Sequence, residues 1–156
     1  MYLSIYKIVS FVLLFFVAGA AFADPMLVPA DELPNFLAKH DKAVVLFTSP
    51  DPKCVFCTEG MRKNFTVLSH HGARQGLVYA VTQWSPWQNL PPVIQRYGIN
   101  LLPQIVLFRN GKEVGKSVGY LKVEEWRALE AKVQTEFGGV TNAAPKTILR
   151  EAPQFP

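Results

Sequence analysis

The sequence predicts an α/β domain built on a mixed four- to five-stranded sheet with helices on both faces. Three observations carry that expectation. Short, continuously apolar runs alternate with amphipathic stretches, which is the signature of strands buried on both faces between helices. A tight-turn dipeptide, Asn110-Gly111, separates two β-rich runs, as a hairpin requires. A chain of 156 residues is also long enough for one domain with a real hydrophobic core, and no repeat at a period of about 20 to 50 residues points to a solenoid.

The elements follow in order. "DELPNFLAKH", with Asp31 as expected N-cap, spaces Leu33, Phe36 and Leu37 at helical intervals. "AVVLFT", residues 43–48, reads as a strand buried on both sides, and Pro50 and Pro52 then break the chain. "TEGMRKNFTVLSHHG" places Met61, Phe65 and Leu68 on one helical face and closes at Gly72. "LVYAVT", residues 77–82, is a second buried strand. A proline-bearing loop, "QWSPWQNLPP", leads into one short helical passage, "PVIQRYG", closed by Gly98. The hairpin "QIVLFRNGKEVGKSVGY" follows. Last comes "VEEWRALEAKVQTEF", with Val123, Trp126, Leu129, Val133 and Phe137 along one stripe and Gly138-Gly139 as its stop.

The two ends read differently. Residues 1–23 hold one lysine, an apolar run from Ile8 to Ala18 and the small-residue pattern Ala21-Phe22-Ala23, which together read as a signal peptide cleaved after Ala23. An uncleaved membrane anchor is the alternative, although a spanning helix usually needs about 20 apolar residues. Both readings export the remainder: to the periplasm if cleaved, membrane-anchored if not. The domain then spans 24–139, and residues 140–156, spaced by prolines and poor in apolar periodicity, are expected to form a flexible tail. Removing 1–23 takes away Lys7 and no acid, lowering the formal charge from +4 to about +3. With no block of lysine or arginine, the chain gives no reason to expect a nucleic-acid partner.

Chemistry concentrates in "SPDPKCVFCTEG", residues 49–60, which holds both cysteines of the chain, Cys54 and Cys57. As a structural staple the pair gains little: closing so short a loop contributes only about 2 kcal/mol, less any strain, against more than about 4 for a loop of about 100 residues. As half of a zinc site it lacks a ligand. His70 stands at finger-type spacing, but positions 74–76, where a fourth ligand belongs, hold Arg74, Gln75 and Gly76, and His71 points about 100° away on a helix. A solvated helix end, where imidazolium complements the negative pole, accounts for both histidines. No metal is expected.

A redox centre accounts for more. The pair follows a buried strand and stands at the expected start of a helix, whose free N–H groups and positive pole favour a thiolate. Spacing then assigns roles: Cys54, exposed at the helix start, attacks a disulfide, and Cys57, one turn in, resolves the mixed disulfide. Lys53 adds a cation before Cys54, while Asp51 and Glu59 act in the opposite sense, so the sign of the net effect is open. No cofactor is needed. In an exported compartment the pair is free to stand oxidised without losing this role.

From about Val44 to Phe137 the chain resembles the thioredoxin family. "VVLFTSPDPKCVFC" resembles the family's strand, loop and CxxC, and "RYGINLLPQIVLFRNGKEVGKSVGYLKVEEW" resembles its second half, with "YGI", a proline opening a strand, "LF.NG" and "VG" in the family's order. The resemblance implies the thioredoxin fold and a thiol:disulfide oxidoreductase acting on protein disulfides or dithiols, recycled by a second redox partner such as a membrane protein. It implies a cis bond before Pro103, with the Leu102 backbone pairing with an extended substrate as an added strand; the alternative is that Pro103 merely opens an edge strand.

This sequence departs from the family at several points. Lys53 replaces the family's tryptophan, and Val55-Phe56 fills the centre of the motif, so these three residues are candidates for tuning the pair. The loop before Cys54 is about two residues longer. Leu46 stands where the family has a buried aspartate that helps deprotonate the resolving cysteine. Trp84 and Trp87 offer either an apolar rim for polypeptide substrates or a cap on the core. Two other readings of function stay open: a binding or chaperone module on the same fold, and a membrane-tethered reductase of a dedicated pathway such as cytochrome maturation.

Overall fold

The computed structural model describes residues 24–72, 76–85 and 91–138. The expected signal peptide at 1–23, the tail at 140–156 and Trp87 lie outside the described residues.

Nine elements are seen among them: β1 (Met26–Leu27), α1 (Leu33–Lys39), β2 (Lys42–Thr48), α2 (Glu59–His71), β3 (Leu77–Gln83), α3 (Pro92–Arg96), β4 (Gln104–Arg109), β5 (Lys112–Val118) and α4 (Val123–Phe137). The sheet order is β1-β3-β2-β4-β5. β1 and β2 run parallel to β3, whereas β4 runs antiparallel to both β2 and β5. The βαβ unit and the hairpin thus share β2 as the central strand, the thioredoxin fold in outline.

β1 has no counterpart in the sequence reading. Two residues are too few to show a period, and both side chains are exposed. Its pairing comes from backbone contacts: the Val28 N–H donates to the Val81 carbonyl at 2.9 Å, and the buried Thr82 hydroxyl donates to the Val28 carbonyl at 3.1 Å. These tie the chain before α1 to the far side of the sheet.

Alternation along β2 divides the core in two. Val44 and Leu46 face α2 and α4 with Met61, Phe65, Ile105, Trp126 and Leu129. Ala43, Val45 and Phe47 face the other side with Leu33, Leu37, Trp84, Ile94 and Phe108. Both faces of β2 are fully buried, so its unbroken apolar run follows from its place at the centre.

Local chemistry sets the boundaries. The α1 N-cap is Glu32 rather than Asp31, without a side-chain cap, and Pro34 occupies the first turn, where its missing N–H has no cost. Asn110 and Gly111 both adopt positive φ, 51° and 71°, as the mirror-image turn of a two-residue hairpin demands. Gly72 follows α2 with φ −85°. Its need is steric instead: a Cβ there would strike the Tyr79 hydroxyl on β3. At the start of α4 the Glu125 carboxylate accepts from the Lys122 N–H at 2.7 Å, holding the first turn.

Candidate active site

β2 ends at Thr48 and β4 begins at Gln104, whose register partner is Phe47. The loop leaving β2 and the loop entering β4 therefore lie at the same edge of the sheet. The loop leaving β3 joins them, since the Trp84 N–H donates to the Thr48 carbonyl at 3.3 Å. Each site residue expected from the sequence and described here belongs to one of these loops or to the strand behind them.

Cys54 and Cys57 are joined as a disulfide, with Cα atoms 5.3 Å apart. Cys57 is buried at 9% exposure, whereas Cys54 is half-buried. Cys54 is thus the more accessible residue of the two.

The expected position of the pair relative to the helix needs correction. Both cysteines precede α2: they lie in turns closed by Cys54 N–H to the Asp51 carbonyl, 3.0 Å, and Cys57 N–H to the Cys54 carbonyl, 2.9 Å. Thr58 is the N-cap, its hydroxyl accepting from the Met61 N–H at 3.2 Å. A threonine is far better at that position than the valine or cysteine before it, so the helix starts at Glu59. Its positive pole lies just past Cys57 rather than at Cys54, and Cys57 does not sit one turn inside.

Asp51 organises the loop, a role the sequence reading missed. Its N–H donates to the Ser49 hydroxyl at 3.0 Å, one carboxylate oxygen accepts from the Lys53 N–H at 2.8 Å, and the other accepts from the Ser85 hydroxyl at 3.4 Å. The first two are turns of the kind that serine and aspartate close two residues along the chain. Ser49-x-Asp51-x-Lys53 was the available signal for them. The third contact spans from β2's loop to β3's loop and could not be read from spacing.

Charge elsewhere in the motif is offset. Glu59 pairs with Lys63 at 3.0 Å, and the hydrogen bond and charge of that lysine hold its carboxyl below the usual range. His70, at the end of α2, contacts the Asp24 carboxylate at 3.1 Å. Lys53 is exposed.

The apolar residues of the site divide by burial. Val55 and Phe56, between the cysteines, are 70% and 56% exposed, and Leu101 is 59% exposed. Leu102 is half-buried, Pro103 is buried, and the bond between them is cis. The Pro103 carbonyl accepts from the Gly119 N–H at 2.8 Å, fixing this loop to the end of β5. Trp84 is buried at 8% and meets Phe47 edge-on with ring centroids 6.2 Å apart, so its ring belongs to the core. Leu101 was not singled out in the sequence; an exposed leucine in a loop carries no periodic signal.

Leu46 is fully buried, and the polar residues Thr48, Ser49, Thr82 and Gln104 are buried at this end of the sheet. Among the described residues neither the Thr48 hydroxyl nor the Gln104 carbonyl oxygen has a hydrogen-bond partner.

Comparison with known proteins agrees with this arrangement. Residues 30–134 match a family model described as a thioredoxin-like domain. No curated protein matches the chain. Among solved structures, a mutant thioredoxin from Halobacterium salinarum superposes with a TM-score of 0.57 at 18% identity, covering 76% of this chain and 94% of its own. Mitochondrial thioredoxin 3 from Saccharomyces cerevisiae, in its oxidised form, gives 0.53 at 20% identity, covering 71% and 94%. Thioredoxin from Trypanosoma brucei brucei gives 0.56 at 16% identity, covering 75% and 96%. At such identities the superpositions speak for the fold, while the family match extends over two thirds of the chain and includes both cysteines. The fold and its CxxC pair support an enzyme of thiol:disulfide exchange, and the chain belongs to the thioredoxin-like domain family.

Proposed function

We propose that this protein is an exported thiol:disulfide oxidoreductase acting on disulfides or dithiols of other proteins through Cys54 and Cys57. The observation that carries the reading is the unequal exposure of two cysteines held on one loop at the strand edge. In the reducing direction, the Cys54 thiolate attacks one sulfur of a substrate disulfide, forming a mixed disulfide and releasing one substrate thiolate. The Cys57 thiolate then attacks the Cys54 sulfur, closing the intramolecular disulfide and releasing the second substrate thiolate. Two electrons pass from the pair to the substrate. Run backwards, the same steps oxidise a substrate dithiol.

Substrate binding falls to the surface around Cys54. Val55, Phe56 and Leu101 offer exposed apolar contacts, and the backbone at Leu102 is the proposed pairing edge for an extended chain. A second dithiol or disulfide protein restores the pair after each cycle, and a membrane protein is the candidate for that partner. Export rests on the signal-like segment 1–23; no helix of the described residues is long and apolar enough to cross a membrane.

Catalytic turnover tests the reading. With dithiothreitol as reductant, the domain is expected to accelerate reduction of a disulfide-bonded protein, and Cys54→Ser is expected to abolish the acceleration. A second reading, a polypeptide-binding module, is favoured by the same exposed apolar residues. Under that reading a variant with both cysteines changed to alanine retains full peptide binding and biological function.

A further inference from the structure

We propose that Asp51 is a positioning residue that biases the Cys54–Cys57 pair toward the reducing side, by fixing a carboxylate charge in the turn that presents Cys54. The inference rests on the reading of Cys54 as the attacking thiol. Asp51 and Cys54 are the first and last residues of one turn, closed by the Cys54 N–H to Asp51 carbonyl bond of 3.0 Å, so their Cα atoms stand within about 7 Å. The carboxylate is held from two sides, by the Lys53 N–H at 2.8 Å and the Ser85 hydroxyl at 3.4 Å. Both donors are neutral, so these bonds fix the charge in place without cancelling it.

Other charges stand around this one. On the same segment Lys53 acts in the opposite sense, and Glu59 of α2 is offset by Lys63 at 3.0 Å and by Arg62. The facing loops bring none: Trp84, Ser85 and residues 99–103 carry no ionisable side chain.

A negative charge near Cys54 disfavours its thiolate. The disulfide has no thiolate to disfavour, so only the reduced form is raised in free energy, and the pair gives up its electrons more readily. Two unit charges about 7 Å apart, a separation of the order of the turn's own span, interact by about threefold in the acid constant at the dielectric of water.

Asp51→Asn separates charge from shape, because the amide oxygen still accepts from Lys53 while the amide nitrogen donates to Ser85. In the reduced protein, the pH midpoint of Cys54 alkylation by iodoacetamide is expected to fall by about half a unit. In a glutathione buffer held at a pH above that midpoint, where two glutathione thiols reduce the protein disulfide and leave as one glutathione disulfide, the equilibrium is expected to move about threefold toward the dithiol. The thermal midpoint is expected to stay put. Asp51→Ala is expected to show the same alkylation shift together with a lower thermal midpoint, since it loses the clasp as well. An alkylation midpoint in Asp51→Asn that is unchanged or higher overturns the proposal, as does a shift confined to Asp51→Ala. The alkylation readout uses no protein substrate; absent turnover with protein disulfides would therefore count against the proposed function and leave this result standing.

Discussion

Leu46 on β2 and Ile105 on β4 are register partners, both fully buried in the cluster that packs under α2. The strand position behind the redox pair is thus hydrocarbon, where the resemblance implies a carboxylate. Leu46→Ala is expected to lower stability by about 2 to 5 kcal/mol through lost burial and the cavity left behind. Leu46→Asp is expected to cost more at neutral pH, because an ionised carboxylate has no partner among these side chains. Burial raises the folded-state pKa of such an acid, so its penalty is absent when it is protonated and grows as pH rises above the unfolded value. Urea unfolding of both variants at pH 4 and pH 7 checks the order and the sign: the deficit of Leu46→Asp should shrink at the lower pH.

Thr48 gives a prediction in the other direction. Its hydroxyl is fully buried without a partner among the described residues, a state that costs about 1 to 3 kcal/mol. Thr48→Val keeps the shape and removes the hydroxyl, so it is expected to stabilise the oxidised protein by about 1 kcal/mol. Thermal unfolding of the oxidised form measures this. Loss of stability would show that the hydroxyl is engaged in solution.

Trp84 and Phe56 are expected to behave oppositely although both are aromatic and both lie at the site's edge of the sheet. Trp84 is buried against Phe47, and Trp84→Ala is expected to lose about 3 to 5 kcal/mol. Phe56 is 56% exposed. Phe56→Ala is expected to change stability by less than about 0.5 kcal/mol and to raise KM for a protein disulfide several-fold. Chemical denaturation and steady-state kinetics on the two variants separate a core role from a binding one.

Much of this arrangement was legible in the sequence, and what escaped has physical causes. The central strand, helices α2 and α4 and the hairpin turn showed because each has a strong local signal: an apolar run with both faces buried, a 3.6-residue stripe, or Asn110-Gly111 at positive φ. β1 did not show, since Met26 and Leu27 pair through backbone and expose their side chains. The helix after the cysteines was read as starting at the pair, whereas Thr58 outcompetes its neighbours as cap. Trp84 was legible as lying at the site's edge of the sheet and not as core or rim, because that choice depends on Phe47 and Ile94 across the sheet. The Asp51–Ser85 contact joins residues 34 apart in the chain, beyond the reach of spacing.

The order of attack by the two cysteines is the central claim, and trapping the intermediate tests it most directly. Reduced Cys57→Ser, mixed with a disulfide-bonded protein and separated without reductant, is expected to accumulate a covalent complex through Cys54 that dithiothreitol dissolves, while Cys54→Ser forms none. A complex formed only by Cys54→Ser, or by neither variant, would contradict the account.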